Sequence, residues 1–246
     1  ILGAGMMGAG IAYVSAQAGI DVVLLDTSIE AANKGKAYSE NLLAKAVEKG
    51  KTTAGKKDAV LARIKTTTDY ADMNGVDLVI EAVFEDRDVK AGVTAKAESS
   101  MPAGSIFASN TSTLPITGLA EKSSRPEQFI GIHFFSPVDR MGLVEIIMGK
   151  KTSPKALAAA IDYVGKIKKT PIVVNDSRGF YTSRVFSTYV NEGIAMLAEG
   201  VKPALIENAG KMAGMPVGPL AVNDEVSLDL TWHIAEQTKK DLGAAY

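Results

Sequence analysis

The first ten residues constrain the fold of this chain more than any other stretch. Gly3, Gly5 and Gly8 follow the spacing Gly-x-Gly-x-x-Gly, after the apolar pair Ile1-Leu2 and before an apolar run with helical spacing. The first glycine permits a tight strand-to-helix turn, the second lets the backbone approach a ligand, and the third lets helix and strand pack closely. The N–H groups at a helix N-terminus bind an anion such as a pyrophosphate. The pattern therefore predicts a strand, turn and helix that bind a dinucleotide.

A second apolar strand follows the helix and ends in an acid. Residues 22–25 are apolar, and Asp26 comes eighteen residues after Gly8, where a carboxylate can accept both hydroxyls of an adenosine ribose. The same carboxylate would repel a 2′-phosphate, so the cofactor is predicted to be NAD rather than NADP. Met6 and Met7, inside the glycine turn, are predicted to line the same site.

Length and composition exclude several classes of protein. The 246 residues, 46% of them hydrophobic, suffice for one large domain or two ordinary ones with a substantial core. A formal net charge of −1 provides no general reason to bind nucleic acid or an anionic membrane. No apolar run approaches the roughly 18 residues of a membrane span. The absence of cysteine excludes disulfides and thiolate chemistry and fits a reducing compartment; no metal site is predicted.

The pattern of the remaining chain predicts an α/β fold. Residues 27–30, Thr-Ser-Ile-Glu, are typical of a capping box, and from them a long helix is predicted to about Lys49. A second helix near residues 56–64 completes a helical pair inserted in the alternation of strand and helix. We predict a Rossmann-type doubly wound parallel sheet with this inserted pair in residues 1–176, followed by an all-α, incomplete C-terminal domain in residues 177–246. Because a strand usually has about five residues and only two precede the glycine turn, we expect a longer natural chain.

The inserted helices carry an excess of lysine. Seven lysines lie between Lys34 and Lys57, against only two glutamates. This surface is either a solvated helix face or a binding surface for the phosphate-bearing tail of a substrate, and the residues alone leave both interpretations open.

The chain has only two histidines, and one of them is a candidate for chemistry. His133 ends the predicted strand 129–134, and ligands bind at such strand ends. Glu145 lies within an apolar strand, where an unpaired carboxylate is costly to bury, and a histidine is a suitable partner. Such a pair holds the imidazole tautomer and raises its basicity. The alternative is a core histidine satisfied by a carbonyl; His233 is predicted to be a packing or surface residue.

Several segments together resemble the 3-hydroxyacyl-CoA dehydrogenase family. They are Ala-Ser-Asn-Thr-Ser at 108–112, His-Phe-Phe-Ser-Pro-Val at 133–138 and Leu-Val-Glu-Ile-Ile at 143–147, in the family's order and spacing. The resemblance covers the whole chain and is nearest to the dehydrogenase part of multifunctional fatty-acid oxidation α-subunits. Those proteins also show Glu-Ala-Val-Phe-Glu-Asp, here 81–86, and Phe-Ser-Pro-Val-Asp-Arg/Lys-Met, here 135–141. An enoyl-CoA hydratase domain precedes the dehydrogenase in them, which would explain the short first strand.

The resemblance implies roles for the matched residues. His133 corresponds to the general base, Glu145 to the acid that orients it, and Ser112 to the residue that hydrogen-bonds the substrate's 3-oxygen near the nicotinamide. The implied NAD contacts outside the glycine turn are Glu85, Lys90, Ser112 and Ser136.

Two further parts of the site are implied less directly. The family's CoA contacts lie on the long inserted helix and correspond to Asn41, with Lys45 and Lys49 in looser register. Ser183 stands in Gly-Phe-Tyr-Thr-Ser-Arg where single-function relatives have an active-site asparagine. The long-chain multifunctional relatives similarly carry a hydroxyl residue there, so Ser183 is a candidate catalytic residue with an open role.

The implied function is NAD-dependent oxidation of (S)-3-hydroxyacyl-CoA to 3-ketoacyl-CoA in fatty-acid β-oxidation. The implied partners are an acyl-CoA substrate and either a second copy of the chain or a complex with a hydratase domain and a thiolase subunit. The implied location is the bacterial cytoplasm, with the mitochondrial matrix or peroxisome as alternatives. Other assignments are a hydroxyisobutyrate or 6-phosphogluconate type dehydrogenase, although the region of Lys211 lacks their catalytic-lysine motif, and a non-catalytic nucleotide-binding structural protein such as λ-crystallin.

Overall fold

A computed structural model describes residues 1–226, 228, 232, 235–236, 238–240 and 243. The chain divides into two compact units, Ile1–Phe180 and Tyr181–Tyr246, and each is described by itself. His233 lies outside the described residues. The packing or surface role of His233 therefore stays a prediction. The domain boundary after residue 176 also stays a prediction.

The first unit alternates strands and helices. Its helices are α1 (Met6–Gln17), α2 (Ile29–Glu48), α3 (Ala54–Ala62), α4 (Arg87–Ser100), α5 (Ile116–Ala120) and α6 (Pro154–Lys166). Its strands are β1 (Val22–Leu25), β2 (Ile64–Thr67), β3 (Leu78–Glu81), β4 (Ile106–Ser109), β5 (Phe129–Phe134), β6 (Leu143–Met148) and β7 (Thr170–Asn175). Two short 3-10 turns cover Tyr70–Met73 and Pro126–Gln128.

The strands form one continuous arrangement through a single residue of the predicted first strand. β1 pairs in parallel with β2, and the order β3-β4-β5-β6-β7 makes a five-stranded sheet. Leu2 bridges Leu25 on one side and Glu81 on the other, both in parallel. The glycine turn therefore begins in the middle of the arrangement, between β1 and β3.

The predicted Rossmann-type α/β fold with a doubly wound sheet is confirmed, but one strand pair of the sheet is antiparallel rather than parallel. β3, β4 and β5 are parallel, but β5 pairs with β6 in antiparallel register. The connection explains the reversal, because only residues 135–142 join β5 to β6 and a parallel crossover needs a dozen or more residues. β7 then pairs in parallel with β6, across the crossover helix α6.

Helices cover both faces of the central strands, as expected for a doubly wound fold. All residues of β4 and β5 are buried. Since side chains alternate along a strand, Ile130 and Ile132 of β5 join the core that includes Ile11 of α1. Phe129 joins the opposite core, where its ring stacks on Phe107 at 5.2 Å.

The long inserted helix begins one residue later than the capping-box pattern predicts. Ser28 is the N-cap, and its side chain accepts a hydrogen bond from the Ala31 backbone N–H. The Thr27 hydroxyl instead donates to Asp26, so the residue at the glutamate position of a capping box is Ala31. Helix α2 packs on α1 through the buried residues Ala32, Gly35, Ser39 and Leu43.

Three helices form the described part of the second unit: α7 (Thr182–Ala198), α8 (Pro203–Met212) and α9 (Pro219–Val226). The Tyr189 hydroxyl donates to the Val217 carbonyl at 2.9 Å. The Glu207 carboxylate accepts from the backbone N–H groups of Leu220 and Ala221 at the start of α9. None of the described helices is both long and apolar enough to cross a membrane.

Candidate active site

The glycine turn has the geometry of a phosphate cradle. Gly3 has a φ of +89°, and a Cβ at this position would lie 2.7 Å from the Ala82 carbonyl oxygen. A Cβ on Gly8 would lie 1.8 Å from the Gly3 carbonyl oxygen. Gly5 is the N-cap of α1, has open space where a Cβ would stand, and provides no side-chain cap. The first N–H groups of α1 can therefore bind an anion that approaches the backbone closely.

Asp26 lies beside this turn, at the end of β1. Its Oδ2 accepts a hydrogen bond from the Ala4 N–H at 2.6 Å, and its Oδ1 accepts from the Thr27 N–H at 2.6 Å. These two bonds orient the half-buried carboxylate next to the glycine turn. An acid in this position suits the ribose of a dinucleotide.

His133 and Glu145 form a buried pair across β5 and β6. The two residues are register partners in the antiparallel ladder, and His133 Nδ1 lies 2.7 Å from Glu145 Oε2. The Glu145 side chain is 0% exposed and that of His133 8%. Because β6 runs against β5, the end of β5 and the start of β6 meet at the same edge of the sheet. With Nδ1 engaged by the carboxylate, Nε2 is the nitrogen suited to proton exchange with a substrate.

Aromatic rings wall the histidine. The ring centroids of Phe135 and Phe180 lie 4.5 Å and 6.0 Å from that of His133. Phe180 is 1% exposed and has a φ of +48°, a backbone conformation that is strained for a bulky residue. The imidazole therefore has an apolar, sterically defined surrounding within the first unit.

The loop after His133 returns to the glycine turn. Ser136 Oγ lies 3.7 Å from Met6 Sδ, and Val138 occupies the space where Gly10 of α1 lacks a side chain. The backbone N–H of Phe134 donates to Asn110 Oδ1 at 2.9 Å. Ser136 and Met6, both predicted cofactor contacts, are thus neighbours, and Met6 is 70% exposed beside the cradle.

Three ionisable residues near the end of β3 form what we call the acid–lysine cluster: Glu81, Glu85 and Lys90. The Lys90 ammonium lies 2.9 and 3.0 Å from the two carboxylate oxygens of Glu81 and 3.2 Å from Glu85 Oε2. The side chains of Glu81 and Lys90 are 1% and 3% exposed. Lys90, predicted as a cofactor contact, is therefore held within a buried ion pair.

The turn after β4 wraps around Glu85. Glu85 Oε1 accepts hydrogen bonds from the Thr111 hydroxyl at 2.6 Å, the Ser112 N–H at 3.0 Å and the Thr113 N–H at 3.2 Å. Burial raises the pKa of Glu85, but the Lys90 charge and the bonds from Thr111 and Ser112 outweigh it and hold the pKa below 4.5. Glu85 thus fixes the backbone that carries Ser112, and both predicted site residues belong to one network.

Comparison with known proteins decides the family. Residues 1–177 match the family model described as "3-hydroxyacyl-CoA dehydrogenase, NAD binding domain", and residues 179–246 match "3-hydroxyacyl-CoA dehydrogenase, C-terminal domain". The chain belongs to the 3-hydroxyacyl-CoA dehydrogenase family. This membership confirms the predicted family and the NAD cofactor, and it overturns the alternative of a hydroxyisobutyrate or 6-phosphogluconate type dehydrogenase.

The relatives agree with this assignment. The chain is 40% identical over 247 residues to the fatty acid oxidation complex subunit alpha of Shewanella amazonensis, a match that covers 100% of this chain and 35% of that relative. The chain thus spans about a third of its length. A crystal structure of (S)-3-hydroxybutyryl-CoA dehydrogenase from Ralstonia eutropha superposes with a TM-score of 0.93 at 39% identity, covering 98% of this chain and 86% of that one. The 3-hydroxybutyryl-CoA dehydrogenase of Escherichia coli K12 gives 0.92 at 33% identity, covering 98% and 51%.

The residues of this dehydrogenase chain fit NAD. Because Gly3, Gly5 and Gly8 have no side chains, phosphates can approach the backbone of the cradle closely. A Cβ on Gly3 or Gly8 would collide with neighbouring backbone, and a side chain on Gly5 would crowd the anion. The first turn of α1 holds no acidic residue that would repel a pyrophosphate. Asp26 would provide the acid for the ribose, and the second half of the dinucleotide would extend toward the loops after β3 and β4.

The remaining predicted residues lie on helices α2 and α7 or at their ends. Asn41, Lys45 and Lys49 are exposed along α2, whereas Lys36 from the same lysine-rich stretch donates to the Ile64 carbonyl at 2.7 Å. Ser183 lies near the start of α7, in the other compact unit.

The sequence interpretation missed Glu81, Asn110 and Asp139 as site-building residues. Each lies inside a segment that carried the family resemblance, but none was assigned a task. The available signal was a charged or amide side chain directly at the end of a buried strand, or in the loop that follows one, where such groups need partners.

Proposed function

We propose that this chain catalyses the NAD-dependent oxidation of (S)-3-hydroxyacyl-CoA to 3-ketoacyl-CoA in fatty-acid β-oxidation. The observation that carries the proposal is the buried His133–Glu145 pair, 2.7 Å apart at the edge of the sheet where the dinucleotide cradle opens. A buried imidazole oriented by a carboxylate is suited to act as a general base.

The chemistry divides among the residues as follows. His133 Nε2 takes the proton of the substrate's 3-hydroxyl, and the Glu145 carboxylate stabilises the imidazolium that forms. Ser112 hydrogen-bonds the 3-oxygen. The Glu85 carboxylate accepts from the backbone N–H of Ser112 and so holds Ser112 in place. The glycine turn and Asp26 would hold NAD, which would supply the acceptor for the hydride from C3. A positioned base of this kind contributes about 10²–10⁴-fold to the rate.

The CoA moiety would extend along α2. Asn41 and Lys45 on α2 and Lys49 at its C-cap are exposed and lie four residues apart, so they share one stripe. Cations along such a stripe would attract the phosphates of CoA. Ser183, as a hydroxyl residue near the start of α7, is proposed to contact the substrate rather than to exchange a proton.

The identity to a fatty acid oxidation complex subunit alpha supports a role as the dehydrogenase part of such a subunit. The predicted hydratase domain, thiolase subunit and homodimer stay proposals for the whole protein. The substrate class is proposed without a preferred acyl chain length.

Turnover tests the proposal. The wild-type chain should oxidise NADH in the presence of acetoacetyl-CoA, and the loss of NADH absorbance measures this reaction. His133→Gln should bind NAD with unchanged affinity and lose at least about 100-fold in kcat, the lower bound for a positioned base. His233→Gln makes the same chemical change at the other histidine and serves as the control. Wild-type binding of NAD without turnover would instead favour a non-catalytic nucleotide-binding protein.

A further inference from the structure

The acid–lysine cluster contains more negative than positive charge. Glu81 and Glu85 both lie against the single ammonium of Lys90. The other contacts of the Glu81 carboxylate also come from donors, the Ser109 hydroxyl and the Val83 N–H at 3.2 Å. Two carboxylates and one ammonium give these three residues a formal charge of −1, and water screens it poorly at Glu81 and Lys90, whose side chains are almost fully buried.

Hydrogen-bond donors contact both acids of the acid–lysine cluster. The Glu85 pKa lies below its ordinary 4.5 because Lys90 and the hydrogen bonds from Thr111 and Ser112 outweigh the effect of burial. Among the described residues, the Glu81 carboxylate accepts from the Lys90 ammonium, the Ser109 hydroxyl and the Val83 N–H. Lys90 and the hydrogen bonds from Thr111 and Ser112 thus favour the charged form of Glu85.

The cluster lies between the phosphate cradle and the catalytic histidine. On the cradle side, Leu2 forms a parallel β-bridge with Glu81. Gly3, which follows Leu2, lies against Ala82, which follows Glu81. On the other side, the Asn110 N–H donates to the Glu81 carbonyl at 2.8 Å, and Asn110 Oδ1 accepts from the N–H of Phe134, the neighbour of His133.

The hydride-accepting ring of a bound cofactor would lie near this region. The ring is joined to the pyrophosphate at the cradle, and it must reach a substrate carbon whose oxygen lies beside His133. The loops after β3 and β4, which carry Glu85 and Ser112, fill the interval between those two points.

We propose that Glu81 determines the preference of the site for the oxidised cofactor, by leaving the acid–lysine cluster with one negative charge beside the nicotinamide ring. The ring carries a positive charge in NAD⁺ and none after it accepts a hydride, so a nearby negative charge stabilises NAD⁺ relative to NADH. Glu81 acts through Lys90, whose ammonium would otherwise repel the oxidised ring, and the inference rests on the proposed function only for the position of the ring.

The test compares the dissociation constants of the two cofactor forms. Glu81→Gln removes one negative charge and keeps an oxygen that can accept from Lys90. The ratio of the NAD⁺ to the NADH dissociation constant, measured by calorimetry, should rise on the order of tenfold, as expected for a unit charge at several ångströms in a partly buried site. Asp88→Asn removes an acid from the same helix α4 at an exposed position and should leave the ratio unchanged.

A second variant separates charge from structure. Glu81→Gln combined with Lys90→Met leaves Glu85 as the single charge, so the cluster again carries one negative charge, and the ratio should return toward the wild-type value. If Glu81→Gln does not fold, Glu85→Gln removes an equal charge from a half-buried side chain and should raise the ratio in the same direction.

The outcomes are distinct. An unchanged ratio in a folded Glu81→Gln or Glu85→Gln protein, or equal weakening of both cofactor forms, overturns the inference and leaves the acids a structural role. Failure of the wild-type chain to bind either form would contradict the NAD assignment itself. Because the measurement uses no acyl-CoA, an absence of turnover with acetoacetyl-CoA contradicts the proposed function and leaves this result intact.

Discussion

Tyr38 of the long inserted helix α2 donates a hydrogen bond of 2.8 Å to Asp139, which lies in the loop between the strands of His133 and Glu145. Burial and the bond to Asp139 raise the pKa of Tyr38 to about 12, so the phenol stays a donor at neutral pH. Lys169 holds the same loop by donating to the Val138 carbonyl at 2.6 Å. The helix proposed to carry CoA is therefore tied directly to the loop that joins the strands of His133 and Glu145.

Tyr38 shares its helix face with the proposed CoA contacts, because Asn41, Lys45 and Lys49 follow it at successive steps of three, four and four residues. Tyr38→Phe deletes one hydrogen bond and should lower the free energy of unfolding by about 1 kcal/mol, measured by urea denaturation. The KM for acetoacetyl-CoA should rise severalfold with little change in kcat. Asp139→Asn combined with Tyr38→Phe should cost less than the sum of the two changes; full additivity would show that the two residues are uncoupled.

Glu145→Gln tests how the buried carboxylate assists His133. An amide oxygen can still accept from Nδ1 and keep the tautomer, but it cannot stabilise a charged ring. We expect kcat to fall by about 10²-fold, near the lower end for loss of base catalysis, and the acid limb of the pH–rate profile to move to lower pH. Glu127→Gln, an exposed acid outside the site, is the control. A wild-type pH profile in Glu145→Gln would show that the carboxylate is only structural.

Strand-level features were predictable because their cause is local. The strand at Phe129–Phe134 was predicted with its observed limits, since an apolar run between polar turns leaves little choice. The reversal of β6 was missed, although the short stretch 135–142 contained the signal. The acid–lysine cluster could not be assembled from sequence, because it joins residues 81–90 to the turn at 109–113 through tertiary packing, which periodicity does not encode. The same limit applies to the contact between Tyr38 and Asp139, which are 101 positions apart.

Gly35 should be essential for seating α2 against the glycine turn. A Cβ at this position would lie 2.7 Å from the Ala4 carbonyl oxygen and 2.8 Å from the Ala4 Cβ, so Gly35→Ala forces the backbones apart. We expect a loss of about 1–3 kcal/mol in the free energy of unfolding and weaker NAD binding, because Ala4 lies within the cradle. Gly92→Ala, in the exposed interior of α4 with nothing within 4 Å of a Cβ, should instead stabilise by about 0.5–1 kcal/mol. Equal effects of the two changes would contradict the close approach of α2.

Glu85 predicts a specific acid dependence of stability. Burial opposes ionisation of this carboxylate, but Lys90 and the hydrogen bonds from Thr111 and Ser112 prevail and hold its pKa below 4.5. A carboxyl whose pKa is lower in the folded state adds stability that is fully present above its unfolded pKa and is lost as pH falls through the lowered value. The Tm of the wild type should therefore exceed that of Glu85→Gln at neutral pH, and the gap should close only in acid below about pH 4.5. Glu40→Gln, at an exposed position of α2, should show no such gap; a Glu85→Gln gap that persists unchanged throughout the acid range would mean that its origin is steric rather than ionic.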